Sequence, residues 1–102
     1  MLKVRGLTLF PSAIEEIVRG FDKLGDEFQI VLGIEGVMDT FTIVAEPRET
    51  LGVVEAEELR VRIASEVVRR CELRPRVELA APGTLPKTEF KARRVIDRRR
   101  TL

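Results

Sequence analysis

Carboxylates, lysine amines and a single thiol are the side chains of this sequence that could do chemistry without a histidine to activate them. Its 102 residues include no His, Trp or Tyr. Without histidine there is no imidazole base and no Ser-His-Asp or Cys-His catalysis, and the commonest metal ligand is missing. The one cysteine, Cys71, cannot form an internal disulfide. Carboxylates and amines remain as candidate catalytic groups, and we expect no metal site.

Basic residues are concentrated at the C-terminal end of the chain. From residue 87 onward, seven Lys or Arg stand against two acids, a local excess of +5, while the whole chain carries +1. Residues 1–86 therefore carry −4, and a basic tail on an acidic body suggests contact with something anionic. Because a charge run is usually a solvated face, no single arginine is assigned a ligand. These arginines are Arg93, Arg94, Arg98, Arg99 and Arg100.

Two amphipathic helices are predicted by the spacing of apolar residues. The first begins at Pro11, because proline and the following Ser12-x-x-Glu15 pattern both mark helix starts. Its apolar stripe is Ile14, Ile17, Val18 and Phe21, and Gly20 or Gly25 helps to end it. The second spans roughly residues 54–70, where apolar residues recur mostly every fourth position. Its stripe is Ala56, Leu59, Ile63, Ala64, Val67, Val68 and Cys71.

Strands are predicted before, between and after these helices. The short apolar stretch 4–10 and the stretch 76–80 each favour a strand. Alternating apolar residues over 28–34 and 41–45, with a turn at Glu35-Gly36, predict a β-hairpin. The order matches an α+β ferredoxin-like split βαβ sandwich, with a small antiparallel sheet and two helices on one face. A motif-bearing C-terminal loop follows the last strand.

The size of the chain limits what it can do alone. We expect residues 1–102 to form a single domain with one core. A chain this short has room for few deep clefts, so a complete two-substrate active site is not expected. No secretory signal and no apolar run of roughly 20 residues are present, which favours a cytoplasmic protein without a membrane span.

The segment after the last strand carries the first family motif. By composition alone Lys91 is an ordinary solvated lysine. Its setting, "LPKTEFKARR", resembles the last core motif of adenylate-forming ligases, in which a lysine enters the active site of a large N-terminal domain. Lys91 occupies that lysine position. Many members have glycine directly before the lysine, whereas this chain has Phe90, a difference that affects how closely the loop backbone approaches substrate.

The opening residues carry a second motif of the same superfamily. "KVRGLTLFPSAIEE" resembles the segment after the hinge, where a glycine loop leads into a proline-started helix ending in Ile-Glu. Gly6, Pro11, Ile14 and Glu15 match it. Together the two ends most resemble the phenylacetate–CoA ligase branch. Because Met1 begins where the family's hinge acid would lie upstream, we expect an excised domain or a fragmentary gene product.

The resemblance implies a role in two half-reactions. Lys91 would stabilise charge while an aryl or arylacetic acid is adenylated by ATP, accompanied by Mg²⁺. After rotation of the domain, Arg5 and Gly6 would face the CoA channel. The sequence has no Gly/Ser/Thr-rich phosphate loop, so ATP binding would belong to a large N-terminal adenylation domain. The isolated chain is therefore expected to bind no cofactor and to be inactive.

Three alternatives remain open on sequence grounds. Gly6 is equally consistent with an ordinary turn before a helix. A stand-alone ferredoxin-like regulatory or small-molecule-binding module, which could be a homodimer, fits the same fold. A nucleic-acid contact through the arginines is disfavoured, because no aromatic stacking residue lies among them.

Overall fold

The structure is a computed structural model that describes residues 1–87 and 94–99. It contains two helices and six strands in this part of the chain. In chain order they are β1 (Leu2–Val4), β2 (Leu7–Leu9), α1 (Pro11–Arg19), β3 (Leu24–Glu35), β4 (Met38–Pro47), α2 (Val53–Cys71), β5 (Arg76–Leu79) and β6 (Val95–Asp97).

The main sheet has four strands in the order β5-β4-β3-β6. Strands β3 and β4 form the predicted antiparallel hairpin, while β5 runs parallel to β4 and β6 runs parallel to β3. The sheet is thus mixed, and the expected antiparallel arrangement holds only for the central pair. The physical reason for β5 is its connection, because a helical crossover such as α2 returns the chain to the end at which β4 began.

The first predicted strand is in fact a separate small hairpin. Strands β1 and β2 pair with each other, with Val4 opposite Leu7 and Leu2 opposite Leu9. Only Arg5 and Gly6 lie between them. The expectation of one continuous strand over 4–10 is therefore corrected to two short strands joined by a two-residue turn.

One face of the main sheet holds the core. Alternate residues of β3 and β4 point to this face and are at most 2% exposed: Phe28, Ile30, Leu32, Phe41, Ile43 and Ala45. Residues from both helices belong to the same cluster: Ile14, Ile17, Val18, Leu59, Ile63 and Val67. The α+β class, the two helices and their buried stripes are confirmed.

The first helix begins by a simpler device than the sequence suggested. Pro11 is its first residue, and the N-cap Phe10 makes no side-chain cap hydrogen bond. The capping box expected from Ser12 and Glu15 is therefore not the start signal, and proline is sufficient because its fixed φ suits the first helical turn. Gly20 closes the helix, as predicted. In the described part of the chain, neither helix is long and apolar enough to cross a membrane.

Candidate functional site

The turn between β1 and β2 has an unusual backbone. Both of its residues have positive φ, 51° at Arg5 and 80° at Gly6. This pattern is typical of the type I′ turns that join two strands by two residues. A Cβ added to Gly6 would meet no atom of the described residues within 4 Å. Glycine is therefore favoured here by the backbone angle, and the outer side of the turn is open to a molecule that approaches from outside.

Asp39, near the beginning of β4, fastens this turn to the main sheet. The backbone N–H of Arg5 donates a hydrogen bond to the Asp39 carboxylate at 2.8 Å. The Arg5 Nε–H donates to the Asp39 carbonyl oxygen at 3.0 Å. The backbone N–H and the Nε–H of Arg5 are therefore both directed at Asp39, and these two bonds hold the side chain that was predicted to face CoA against β4.

Arg99, just beyond β6, joins the same cluster. Its guanidinium lies 3.3 Å from the Asp39 carboxylate and 2.9 Å from that of Asp97, and it also donates to the backbone carbonyl of Lys3. Its side chain is only 17% exposed. The hydrogen bond to Asp97, assisted by Asp39, raises the pKa of Arg99 above its ordinary value despite partial desolvation. Arg99 therefore links the segment after β6 to β1, through the Lys3 carbonyl, and to β4, through the Asp39 carboxylate.

The predicted catalytic Lys91 lies outside the described residues, as do Phe90, Arg93 and Arg100. The structure does describe how the chain enters and leaves this segment. On the entry side, the backbone N–H of Leu85 donates to the Glu46 carboxylate at 2.7 Å. On the exit side, Arg94 is followed directly by β6. Both flanks of the segment are therefore attached to the main sheet.

Arg94, in the basic tail, is buried and only 8% exposed. Its guanidinium carbon lies 4.5 Å from the centroid of the Phe28 ring, and its Nη1–H donates to the Asp26 carbonyl at 3.0 Å. The cation–π geometry explains how an arginine is tolerated at the edge of the core. The expectation that this charge run forms a solvated face is therefore wrong for Arg94. No local sequence signal distinguishes it from its neighbours, since both of its partners, Asp26 and Phe28, lie in the distant strand β3.

Exposed apolar side chains lie beside the Arg5–Gly6 turn. The tip of the β3–β4 hairpin carries Val37, which is fully exposed, and Met38, which is 55% exposed. Met38 directly precedes Asp39, the partner of Arg5. The residue that holds the turn thus directly follows two exposed apolar residues in the sequence.

The face of the sheet opposite the helices is open and carries a shallow depression of about 340 Å³. It is lined by Gln29, Val31, Leu32, Gly33, Thr40, Thr42, Val44, Glu78 and Arg98. One exposed arginine is its only cation among the lining residues. Among the described residues, no buried side-chain polar atom without a hydrogen-bond partner lines this depression, so we assign no ligand to it.

Known proteins share the fold and part of the sequence over almost all of this chain. The family described as AMP-binding enzyme C-terminal domain matches residues 6–99. The phenylacetate-coenzyme A ligase of Thermus thermophilus is 33% identical over 116 aligned positions, which include 98% of this chain but 26% of that protein. The chain spans about a quarter of the length of the curated relatives it matches.

Two solved structures are similar over nearly the whole chain. One is a domain of a phenylacetate-coenzyme A ligase from Bacteroides vulgatus, with a TM-score of 0.90, 31% identity, and coverage of 100% of this chain and 95% of that one. The other is a 2-hydroxyisobutyryl-CoA ligase in complex with 2-HIB-AMP and CoA in the thioesterification state. It has a TM-score of 0.89 and 34% identity, and covers 97% of this chain and 21% of that one.

Proposed function

Because this chain belongs to the AMP-binding enzyme C-terminal domain family, we propose that it is the mobile C-terminal domain of an aryl- or arylacetate-CoA ligase. It supplies the lysine for carboxylate adenylation and helps to form the CoA channel. The observation that carries the proposal is its similarity, at a TM-score of 0.89, to the corresponding part of a ligase with an acyl adenylate and CoA. This similarity covers 97% of the chain, whose described elements are the mixed sheet, the two helices and the β1–β2 hairpin.

Lys91 is proposed to act in the first half-reaction. The substrate carboxylate attacks the α-phosphate of ATP, the acyl–AMP bond forms, and pyrophosphate leaves. Negative charge builds up on the carboxylate and α-phosphate oxygens, and a positioned ammonium stabilises it in a site from which water is excluded. Lysine suits this role because it is a compact charge on a long stem. Mg²⁺ enters with ATP as part of the substrate.

Gly6 is proposed to act in the second half-reaction. The CoA thiol attacks the acyl carbonyl carbon, the thioester forms, and AMP leaves. The Arg5–Gly6 turn would face the pantetheine arm once the domain has rotated. The open space around the Gly6 Cα supports this role, because no part of the described chain occupies it. The Arg5 backbone N–H and Nε–H both bind Asp39, which supports contact with CoA through the Gly6 backbone. The Arg5 side chain is then assigned a structural role.

The partner required by this proposal is a large adenylation domain. It would hold ATP and the acid, since this sequence has no phosphate loop of its own. The exposed Val37 and Met38 beside the turn support a docking edge for that domain. The chain is about equally similar to relatives named for phenylacetate and for 2-hydroxyisobutyrate, at 33% and 34% identity. The choice of acid is therefore assigned to the large domain.

The proposal is tested by fusing the chain to the large domain of the Thermus thermophilus ligase, in place of that enzyme's own C-terminal quarter. We expect acid-dependent pyrophosphate release well above that of the large domain alone. Lys91→Ala should lower this rate by about 10²-fold or more, as loss of one transition-state donor typically does. Transfer from a preformed acyl adenylate to CoA should be much less affected.

Lys87→Ala is the matched control, because Lys87 is an exposed lysine four residues away. It should leave both half-reactions close to the unmodified fusion. A fusion no more active than the large domain alone would contradict the proposal, and equal loss for both lysines would contradict the role of Lys91. The isolated 102-residue chain should release no pyrophosphate.

A further inference from the structure

Arg5 adopts a backbone conformation that its residue type does not favour. In the described part of the chain, only Arg5 and Glu72 have positive φ without being glycine. Glu72 ends α2, where a left-handed residue is common. Arg5 instead occupies the first position of a type I′ turn, where Asn, Asp or Gly is preferred. Some interaction outside the turn must therefore stabilise this conformation.

Asp39 provides that interaction. Its carboxylate accepts the Arg5 backbone N–H at 2.8 Å, and its carbonyl accepts the Arg5 Nε–H at 3.0 Å. The first bond fixes the backbone of the turn, and the second fixes the direction of the side chain. A hydrogen bond to an ionised acceptor is stronger than one between neutral groups.

Asp39 is itself held in place. Its carboxylate is 27% exposed and pairs with Arg99, whose side chain is 17% exposed and which also contacts Asp97 and the Lys3 carbonyl. An isolated surface pair would be a weak restraint. Here the carboxylate is partly buried between a backbone N–H and a guanidinium that is itself fixed at two further points.

We propose that Asp39 is a positioning residue for CoA thioester formation. Asp39 holds the Arg5–Gly6 turn in the conformation in which the Gly6 backbone faces pantetheine. The inference rests on the proposed function, since it names the group that orients the proposed CoA-facing turn. Asp39 acts through Arg5 and touches no substrate. Its effect is therefore confined to the half-reaction in which the turn faces the thiol.

The kinetic test uses Asp39→Ala in the ligase fusion. We expect kcat/KM for CoA in thioester formation from preformed acyl adenylate to fall about tenfold or more, while pyrophosphate release stays within about twofold. Asp39→Asn keeps an oxygen acceptor for the Arg5 N–H and should recover most of the loss. Asp26→Ala is the matched control, because that carboxylate is 79% exposed and lies away from the turn. An equal loss in both half-reactions, or no loss in either, would overturn the proposal.

A second measurement uses the 102-residue chain itself and does not depend on ligase activity. The Arg5 amide proton is expected to exchange with water at least tenfold faster in Asp39→Ala than in the unmodified chain, with Asp39→Asn intermediate, as followed by NMR. Unchanged Arg5 exchange in a folded Asp39→Ala chain overturns the positioning role. An inactive fusion with the expected exchange pattern counts against the proposed function and leaves the role of Asp39 in the turn established.

Discussion

The guanidinium of Arg99 lies 3.3 Å from the carboxylate of Asp39, across a separation of 60 residues in the sequence. This contact joins the end of β6 to the beginning of β4. Since Asp39 also accepts the Arg5 N–H, the N-terminal motif and the residues that follow β6 meet at one carboxylate. The β1–β2 hairpin and the strand that follows the Lys91 segment are therefore mechanically linked.

Arg99→Ala is the most direct test of this link. The change removes ion pairs to Asp39 and Asp97 and the hydrogen bond to the Lys3 carbonyl. Because these groups are partly buried, we expect the free energy of unfolding to fall by about 1–2 kcal/mol. Arg98→Ala, at the exposed neighbouring position, should change it by less than about 0.5 kcal/mol. Urea unfolding followed by circular dichroism gives both values, and equal effects would mean that the cluster adds no stability.

Gly6→Ala and Gly36→Ala form a matched pair for the CoA-facing turn. Both glycines have positive φ, 80° and 63°, and within the part of the chain that the structure describes, a Cβ at either would meet no atom closer than 4 Å. Each substitution should therefore cost about 1 kcal/mol of stability from backbone strain alone. In the ligase fusion, Gly6→Ala should also slow thioester formation at least tenfold, while Gly36→Ala should not. Similar kinetics for the two variants would show that the Gly6 backbone does not approach CoA.

The sequence predicted those elements whose signals are local. Pro11 fixed the start of α1, and the fourfold spacing of Leu59, Ile63 and Val67 defined the buried stripe of α2. The hairpin followed from strict alternation on both sides of Glu35-Gly36. In each case the information lies within one helix turn or one strand pair, so no knowledge of tertiary contacts is needed.

The features that sequence reasoning missed depend on distant partners. Arg5-Gly6 is a poor turn signal, since arginine rarely takes the first position of a type I′ turn, and Asp39 stabilises it from 34 residues away. Strand β6 has three residues inside a basic run, and it forms only because β3 offers a free edge. The burial of Arg94 likewise depends on the Phe28 ring.

Ile63→Ala tests the shared core against a control on the same helix. Ile63 is fully buried between the sheet and α2, whereas Val61, two residues earlier, is 54% exposed. We expect Ile63→Ala to lower the free energy of unfolding by about 2–5 kcal/mol, from lost burial and the remaining cavity. Val61→Ala should change it by less than about 0.5 kcal/mol. Chemical denaturation of both chains measures the difference, and comparable losses would contradict the assigned face of α2.

Cys71 gives a pH-dependent test of the α2 terminus. Desolvation by burial raises the pKa of this thiol, and the charge of Arg70 opposes the rise. Because only the thiolate reacts with iodoacetamide, alkylation of the folded chain should be slower at pH 8 than in denaturant, with a midpoint shifted to higher pH. Arg70→Ala should shift the midpoint further upward. The sequence has one cysteine, so the signal belongs to Cys71.

The same shift sets the sign of a stability effect. The folded state binds the thiol proton more tightly than the unfolded state, so this contribution is fully present below the unfolded pKa and is lost as pH rises through the folded pKa. Unfolding should therefore become easier across that alkaline window in the unmodified chain, and this component should be missing in Cys71→Ser. Comparison of the two pH profiles of unfolding free energy isolates the thiol. A folded-state alkylation midpoint equal to or below that of the unfolded chain would contradict the burial of Cys71 against the core.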